Sequence, residues 1–235
     1  MSSTPTSRPL QPPSAVLFDL DGTLLDTAPD LIAALNSVLV DQGCQQVPVE
    51  PFRRWVSQGG RRLLKEGFPE LDQAGIEALL PSFLNHYDNA IAAHTRPYDG
   101  VLTVLAELDS AAIPWGIVTN KPIGLTQRLL AEIGWSKRTE VVIGGDSLAQ
   151  RKPHPAPVLH ALAALGASNR DAWMVGDDLR DIVAGRDAGC RTLIARWGYL
   201  DDPNSLEQWQ ADGIVEQPRG LMDWWHTAAV ASQPA

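Results

Sequence analysis

The chain has 235 residues, 44% of them hydrophobic and 20% charged, the composition of an ordinary soluble globular protein able to bury a sizeable core. Lys and Arg total 19 against 28 Asp and Glu, a net charge of −9 that argues against nucleic acid or an anionic membrane as a partner but leaves room for a small anion in a local positive pocket. No apolar run approaches the ~18 residues that span a bilayer. Two cysteines, Cys44 and Cys190, are too few for a disulfide framework and suit a reducing cytoplasm.

Residues 1–13 are rich in Ser, Thr and Pro without the apolar stretch of a secretory signal, and they read as a disordered tail, as do residues 229–235. The first strand, about Ser14–Leu20, ends in Asp19-Leu20-Asp21-Gly22-Thr23. Side chains alternate in extended chain, so the two aspartates project to one side, roughly 6–7 Å apart. Carboxylates crowded at a strand end repel unless a cation or a proton lies between them. Taken alone, the pair also reads as a solvated Asp-rich turn.

Asp26-Thr27-Ala28-Pro29-Asp30 opens a helix, with Leu31, Ile32, Leu35, Val38 and Leu39 at helical spacing and Gly43 at its stop. Val49–Ser57 reads as a second helix, broken at Gln58-Gly59-Gly60, and Arg61–Glu66 as a third. Asp72 begins a longer one in which Pro81 should cause a kink or a split. Arg61 sits at a helix start where backbone amides can bind an anion, or where a solvated helix end would equally place it. From Asp30 to about Thr95 the pattern is helical throughout, a small bundle inserted after the first strand.

From Asp99 onward helix and strand alternate. Strands are predicted at Ile113–Thr119, Val141–Ile143, Asp171–Asp177 and Arg191–Arg196, with Gly213–Val215 as a possible sixth. This rhythm predicts right-handed βαβ crossovers and a parallel sheet covered by helices. In such α/β folds ligands sit beyond the carboxyl ends of the strands. The polar residues gather at those ends: Asp19 and Asp21 after strand one, Thr119-Asn120 after strand two, Lys152 in the loop after strand three, Asp177-Asp178 after strand four.

In this order the four clusters, Asp19-Leu20-Asp21-Gly22-Thr23, Thr119-Asn120, Lys152-Pro153 and Gly176-Asp177-Asp178-Leu179-Arg180-Asp181, resemble the motifs of the haloacid dehalogenase-like superfamily. The resemblance runs from Ser14 to about Asp223. It implies a Rossmann-like parallel sheet of strand order 5-4-1-2-3 formed by residues 14–27 and 96–228, with residues 28–95 as a small α-helical cap. It also implies that Asp19 attacks phosphorus and carries an aspartyl-phosphate. Asp21 would exchange protons with the leaving alcohol and the incoming water. Mg²⁺ would be held by Asp19, the Asp21 carbonyl and Asp177. Thr119, Asn120 and Lys152 would hold the phosphoryl group, and Lys152 and the cation would offset the repulsion between carboxylate and phosphate. Asp181 is expected to bind a metal-ligated water or to hold Lys152. Asp178 is expected either beside it or as an acid complementing its helix dipole. A cap loop of this kind reaches the substrate in related phosphatases, which makes Gln58, Gly60 and Arg61 the specificity candidates.

Dehalogenases of the superfamily lack the second aspartate, so by this resemblance Asp21 points to phosphoryl chemistry. Asp21–Thr27, Val118–Pro122 and the Lys-Pro-x-Pro loop are similar to phosphoglycolate phosphatase-like enzymes. Gly176–Ile182, Gly185–Gly189 and Arg196-Trp197-Gly198-Tyr199 are similar to N-acetylmuramic acid 6-phosphate phosphatases. The expected partner is a small phosphorylated metabolite. A phosphosugar mutase uses the same aspartate pair and stays open. A catalytically inactive binding protein fits less well, since Asp19, Asp21, Lys152 and Asp177 are all present. Lys121 and His154 are left between loop positions and pocket contacts, and Trp55 between packing and a leaving-group contact.

Overall fold

The computed structural model describes residues 12–139 and 141–224, so nearly all of both terminal tails falls outside the described residues. The chain forms β1 (Val16–Phe18), β2 (Leu25–Asp26), α1 (Ala28–Asp41), α2 (Val49–Arg53), α3 (Gly60–Gly67), α4 (Gln73–Asn89), β3 (Arg96–Pro97), α5 (Val101–Ser110), β4 (Trp115–Val118) and α6 (Ile123–Glu132). There follow β5 (Val142–Ile143), α7 (Ala156–Ala164), β6 (Trp173–Gly176), α8 (Leu179–Asp187), β7 (Arg191–Ala195) and β8 (Gly213–Val215). No helix among the described residues is long and apolar enough to cross a membrane.

Six strands make one parallel sheet in the order β5-β4-β1-β6-β7-β8. The five strands β5, β4, β1, β6 and β7 follow the expected order, and the correction lies at one edge: β8 joins as a sixth strand outside β7. It is held there by the Asp212 carboxylate, which accepts the Thr192 N–H at 2.8 Å, and by Ile214, which packs with Ile194, Ile182 and Leu206. β1 is central. Val16 and Phe18 face one buried layer with α5 and α6, while Leu17 faces another with α7 and α8. Burial of both faces explains why the strand reads as an unbroken apolar run.

β2 and β3 form a separate two-stranded antiparallel ribbon, Leu25 opposite Pro97 and Asp26 opposite Arg96. Helices α1–α4 leave and return through it. Asp30 ties its two ends together: the buried carboxylate accepts the N–H groups of His94 and Thr95 at 2.8 Å and the Thr95 hydroxyl at 2.7 Å. Leu31, Ile32, Leu35, Leu63, Leu64, Ile76, Phe83 and Tyr87 bury the shared face of α1, α3 and α4.

Two expectations are narrowed inside this unit. Of the kink or split expected at Pro81, the split does not occur, and α4 runs as one helix from Gln73 to Asn89. Pro81 cannot donate to the Glu77 carbonyl one turn back, and both residues lie on the exposed face of α4, where an unmet backbone bond costs least. The second helix stops at Arg53, and Val56–Gln58 forms a separate 3₁₀ turn. Ser57 there gives both its hydroxyl and its carbonyl to bonds with the sheet-bearing part of the chain, which draws the turn out of helical register.

Candidate active site

Because β1 lies between β4 and β6, the ends of three strands meet, and the residues one step beyond each end form a floor. Asp19 follows β1, and its N–H continues the ladder to the Val175 carbonyl at 2.9 Å. Lys152, only 2% exposed, reaches this floor from the loop before α7. Its ammonium donates to Asp19 Oδ1 (2.7 Å), Asp181 Oδ1 (2.6 Å) and the Val118 carbonyl, using all three of its protons. Burial works against its charge, but Asp181 and Asp19 outweigh burial and hold the ammonium above the usual lysine range.

Asp177 follows β6. Its Oδ1 accepts the Thr23 hydroxyl (2.7 Å), and its Oδ2 accepts the Ser57 hydroxyl (2.7 Å) and the Tyr199 N–H (2.9 Å). Gly22, at φ +92°, is required here, since a Cβ would lie 2.2 Å from Asp177 Oδ2. Asp19, Asp177 and Asp181 are all buried, with oxygens within 4.8 Å of one another. Burial pushes the pKa of each upward, and Asp181 rises to about 7. Three carboxylates against one ammonium leave a charge deficit that a hard cation fits, and an all-oxygen donor set suits Mg²⁺ rather than a soft metal.

Asp21 sits above this cluster. Its Oδ1 accepts the Thr27 hydroxyl (2.7 Å) and the ammonium of Lys121 (3.1 Å). Lys121 is therefore a buried partner of Asp21, not a solvated loop lysine. Its Nζ also lies 4.4 Å from the Tyr87 ring centroid on α4, a cation–π contact. Burial opposes the Lys121 charge, yet Asp21 and Tyr87 raise its pKa overall, while burial pushes the Tyr87 phenol up to about 12. Thr119 is buried at the end of β4, and the Asn120 side-chain amide donates to the Lys152 carbonyl at 2.9 Å, tying the lysine's loop to that strand.

The floor opens into a cavity of about 240 Å³ that includes Asp19, Asp21, Thr119, Asn120, Lys121, Lys152 and Asp181. Its roof comes from Val56–Arg61 and from Leu80, Phe83, Leu84 and Tyr87. Gln58, Gly60 and Arg61 all line it. Gln58 also donates to Asp201 (3.2 Å), Gly60 leaves room for the Phe83 ring, and the Arg61 guanidinium is held by both oxygens of Glu77 (2.6 and 3.0 Å). Asp178 caps α8 by accepting the Arg180 N–H (2.9 Å), while Asp181 Oδ2 accepts the Asp178 N–H (3.1 Å), a reciprocal cap. Trp55 packs against Phe52 and Arg54 and does not line the cavity, and His154 accepts the Ala156 N–H in its own loop.

Three further contributors have no role assigned from the sequence, although Arg180 and Tyr199 lie within the runs Gly176–Ile182 and Arg196–Tyr199 singled out above. Ser57 looks like the end of a helix. Arg180 bridges both Asp178 oxygens (2.7 and 2.8 Å) to the Ser57 carbonyl (2.6 Å). Tyr199 gives its N–H to Asp177 and its hydroxyl to Asp26 (2.7 Å), and accepts the Ala28 N–H (2.9 Å).

The family model for haloacid dehalogenase-like hydrolases matches residues 16–195. A protein of Xylella fastidiosa strain Temecula1 named phosphoglycolate phosphatase is 47% identical over 89% of this chain and 91% of its own length. A protein of Pseudomonas aeruginosa named N-acetylmuramic acid 6-phosphate phosphatase is 40% identical over 89% of this chain and 93% of its own. The crystal structure of a predicted phosphoglycolate phosphatase from Haemophilus somnus 129pt superimposes with a TM-score of 0.79 at 28% identity, covering 89% of this chain and 96% of that one.

Proposed function

The chain belongs to the haloacid dehalogenase-like hydrolase family, and from that membership and the floor geometry we propose that it is a Mg²⁺-dependent phosphomonoesterase for a small organic acid phosphate of the 2-phosphoglycolate kind. The observation that supports it most is the Lys152 ammonium bonded to both Asp19 and Asp181, with Asp177 alongside, at the carboxyl ends of β1 and β6.

In this reading Asp19, the Asp21 carbonyl and Asp177 would hold the cation, which would supply positive charge against the phosphate and the attacking carboxylate. Lys152 fixes one Asp19 oxygen and neutralises part of its charge, so the carboxylate can approach a phosphate dianion. A bond forms from an Asp19 oxygen to phosphorus as the ester P–O bond breaks, and Asp21 passes a proton to the departing alkoxide. Asp21 then takes a proton from water as that water attacks phosphorus, and the aspartyl-phosphate P–O bond breaks to restore Asp19. Lys121 and Thr27 hold the Asp21 carboxylate in place through both transfers. Thr119 and Asn120 position the phosphoryl group, and Lys152, whose three protons are engaged by Asp19, Asp181 and the Val118 carbonyl, acts on it through its charge. Residues 28–95 act as the cap, with Gln58, Gly60 and Arg61 at the substrate, and residues 14–27 and 96–228 as the core. The substrate is a soluble cytoplasmic metabolite.

A second reading, an N-acetylmuramic acid 6-phosphate phosphatase, is favoured by the roof. Leu80, Phe83, Leu84 and Tyr87 offer more apolar wall than a two-carbon acid can cover. The test is kcat/KM for 2-phosphoglycolate, hexose 6-phosphates and N-acetylmuramic acid 6-phosphate with Mg²⁺. The highest value on 2-phosphoglycolate supports the first reading and the highest on the muramic acid ester the second. Isomerisation of a sugar phosphate without phosphate release, or no release from any monoester, overturns both.

A further inference from the structure

The Ser57 hydroxyl, carried by the turn between α2 and α3, lies 2.7 Å from Asp177 Oδ2 and 3.3 Å from the Asp21 main-chain carbonyl oxygen. The Asp177 carboxylate and the Asp21 carbonyl belong to the set assigned above to the cation. Neighbouring vertices of an octahedron with metal–oxygen bonds of 2.0–2.1 Å stand about 2.9 Å apart. The hydroxyl therefore keeps from each oxygen close to the distance that one ligand keeps from the next. It carries a single proton and cannot donate fully to both acceptors, whereas its oxygen lone pairs can serve a cation placed between them.

The turn holds the hydroxyl in this position through contacts on either side of it. Arg180, gripped by both Asp178 oxygens, donates to the Ser57 carbonyl at 2.6 Å, and the next side chain, Gln58, donates to Asp201 at 3.2 Å. Gly59, at φ +86°, then turns the chain away into α3. Serine oxygen is a hard, neutral donor of the kind that joins carboxylates and phosphates around Mg²⁺ in nucleotide-binding loops.

We propose that Ser57 supplies its hydroxyl oxygen to the coordination sphere of the cation when the turn is seated on the floor, so that the helical unit contributes directly to metal affinity. The proposal rests on the reading that Asp19, Asp21 and Asp177 hold that cation. By linkage, the cation then favours the seated turn by the same factor as the seated turn favours the cation.

The test is substrate-free titration of the full-length protein with Mg²⁺ and with Cd²⁺, by calorimetry, for wild type, Ser57→Ala and Ser57→Cys, each shown to be folded by circular dichroism. Loss of one ligand in Ser57→Ala is expected to weaken Mg²⁺ about tenfold. Ser57→Cys should weaken Mg²⁺ likewise but bind Cd²⁺ more tightly than wild type, because a soft sulfur ligand prefers a soft cation. Unchanged or tighter Mg²⁺ binding in Ser57→Ala, or a wild-type ratio of Cd²⁺ to Mg²⁺ affinity in Ser57→Cys, overturns the proposal while leaving the phosphatase reading intact. Wild-type protein that binds no Mg²⁺ at all overturns the metal assignment and this proposal with it, before any variant is needed.

Discussion

Replacing Lys152 by methionine removes the ammonium from a floor that holds three carboxylates and keeps the rest of the side chain's bulk. The ammonium is bonded to Asp19 at 2.7 Å and Asp181 at 2.6 Å, with all three groups under 10% exposed, so the carboxylates lose their compensation without gaining water. Breaking a buried pair in this way costs about 3–5 kcal/mol. In a chain of this size that corresponds to a Tm lowered by about 6–20 °C. Thermal unfolding followed by circular dichroism in EDTA measures it free of adventitious cations. Asp181→Asn in the Lys152→Met background should return at least about 1 kcal/mol relative to the sum of the single variants, because one uncompensated carboxylate is gone. Added Mg²⁺ should raise the Tm of Lys152→Met by more degrees than that of wild type. A Tm loss below about 3 °C, or strictly additive single variants, would show that Lys152 does not compensate the floor and would refute the electrostatic account.

Asp21→Asn should slow hydrolysis of an alkyl phosphate by about 10²–10⁴-fold. With p-nitrophenyl phosphate, whose leaving group departs without a proton, it should give a burst near one equivalent per enzyme followed by slow turnover, and a linear trace at the wild-type rate would exclude Asp21 as the proton carrier. Tyr199→Phe removes the bonds to Asp26 and Ala28 and should cost about 1–3 kcal/mol in urea unfolding. Its main-chain bond to Asp177 stays, so Mg²⁺ affinity should be unchanged, and a parallel loss of Mg²⁺ binding would contradict this division of labour. Burial pushes the Cys190 thiol up to about 12, while Cys44 is exposed, so a disulfide reagent at pH 8 should titrate one thiol quickly and the second only on unfolding. Two fast thiols would contradict the buried placement of Cys190.

The strands and the residues just beyond their ends were legible because each depends on a short local pattern, an apolar run and then a polar residue at a fixed offset, whereas the strand order followed only from the resemblance of the four motifs to a known family. The helical unit was legible for the same reason, through the spacing of Leu31, Ile32, Leu35 and Val38. What escaped depends on partners far along the chain. Ser57 meets Asp177 across 120 positions, Lys121 meets Asp21 across 100, and the Tyr199 hydroxyl meets Asp26 across 173. No periodicity within one element reports such pairings, so Lys121 read as an ambiguous loop residue and Ser57 as the end of a helix. β8 was hard to place for a related reason: a three-residue strand shows its partner only when the sheet edge it covers is known. Pro81 is the opposite case, since its local rule is sound and α4 nevertheless runs through it unsplit, with Pro81 and Glu77 both on the exposed face.

The small β2–β3 ribbon has a consequence for descent. The chain leaves at Asp26 and returns at Arg96 in facing positions, and neither strand belongs to the six-stranded sheet. Whatever is inherited between them can lengthen, shorten or be exchanged without shifting the register of β1 against β4 and β6. A lineage can therefore try new walls over the same floor of carboxylates and lysine, one substitution or one helix at a time. Two relatives that differ in the molecule they are named for, yet resemble this chain over nearly its whole length, are what such a joint would allow.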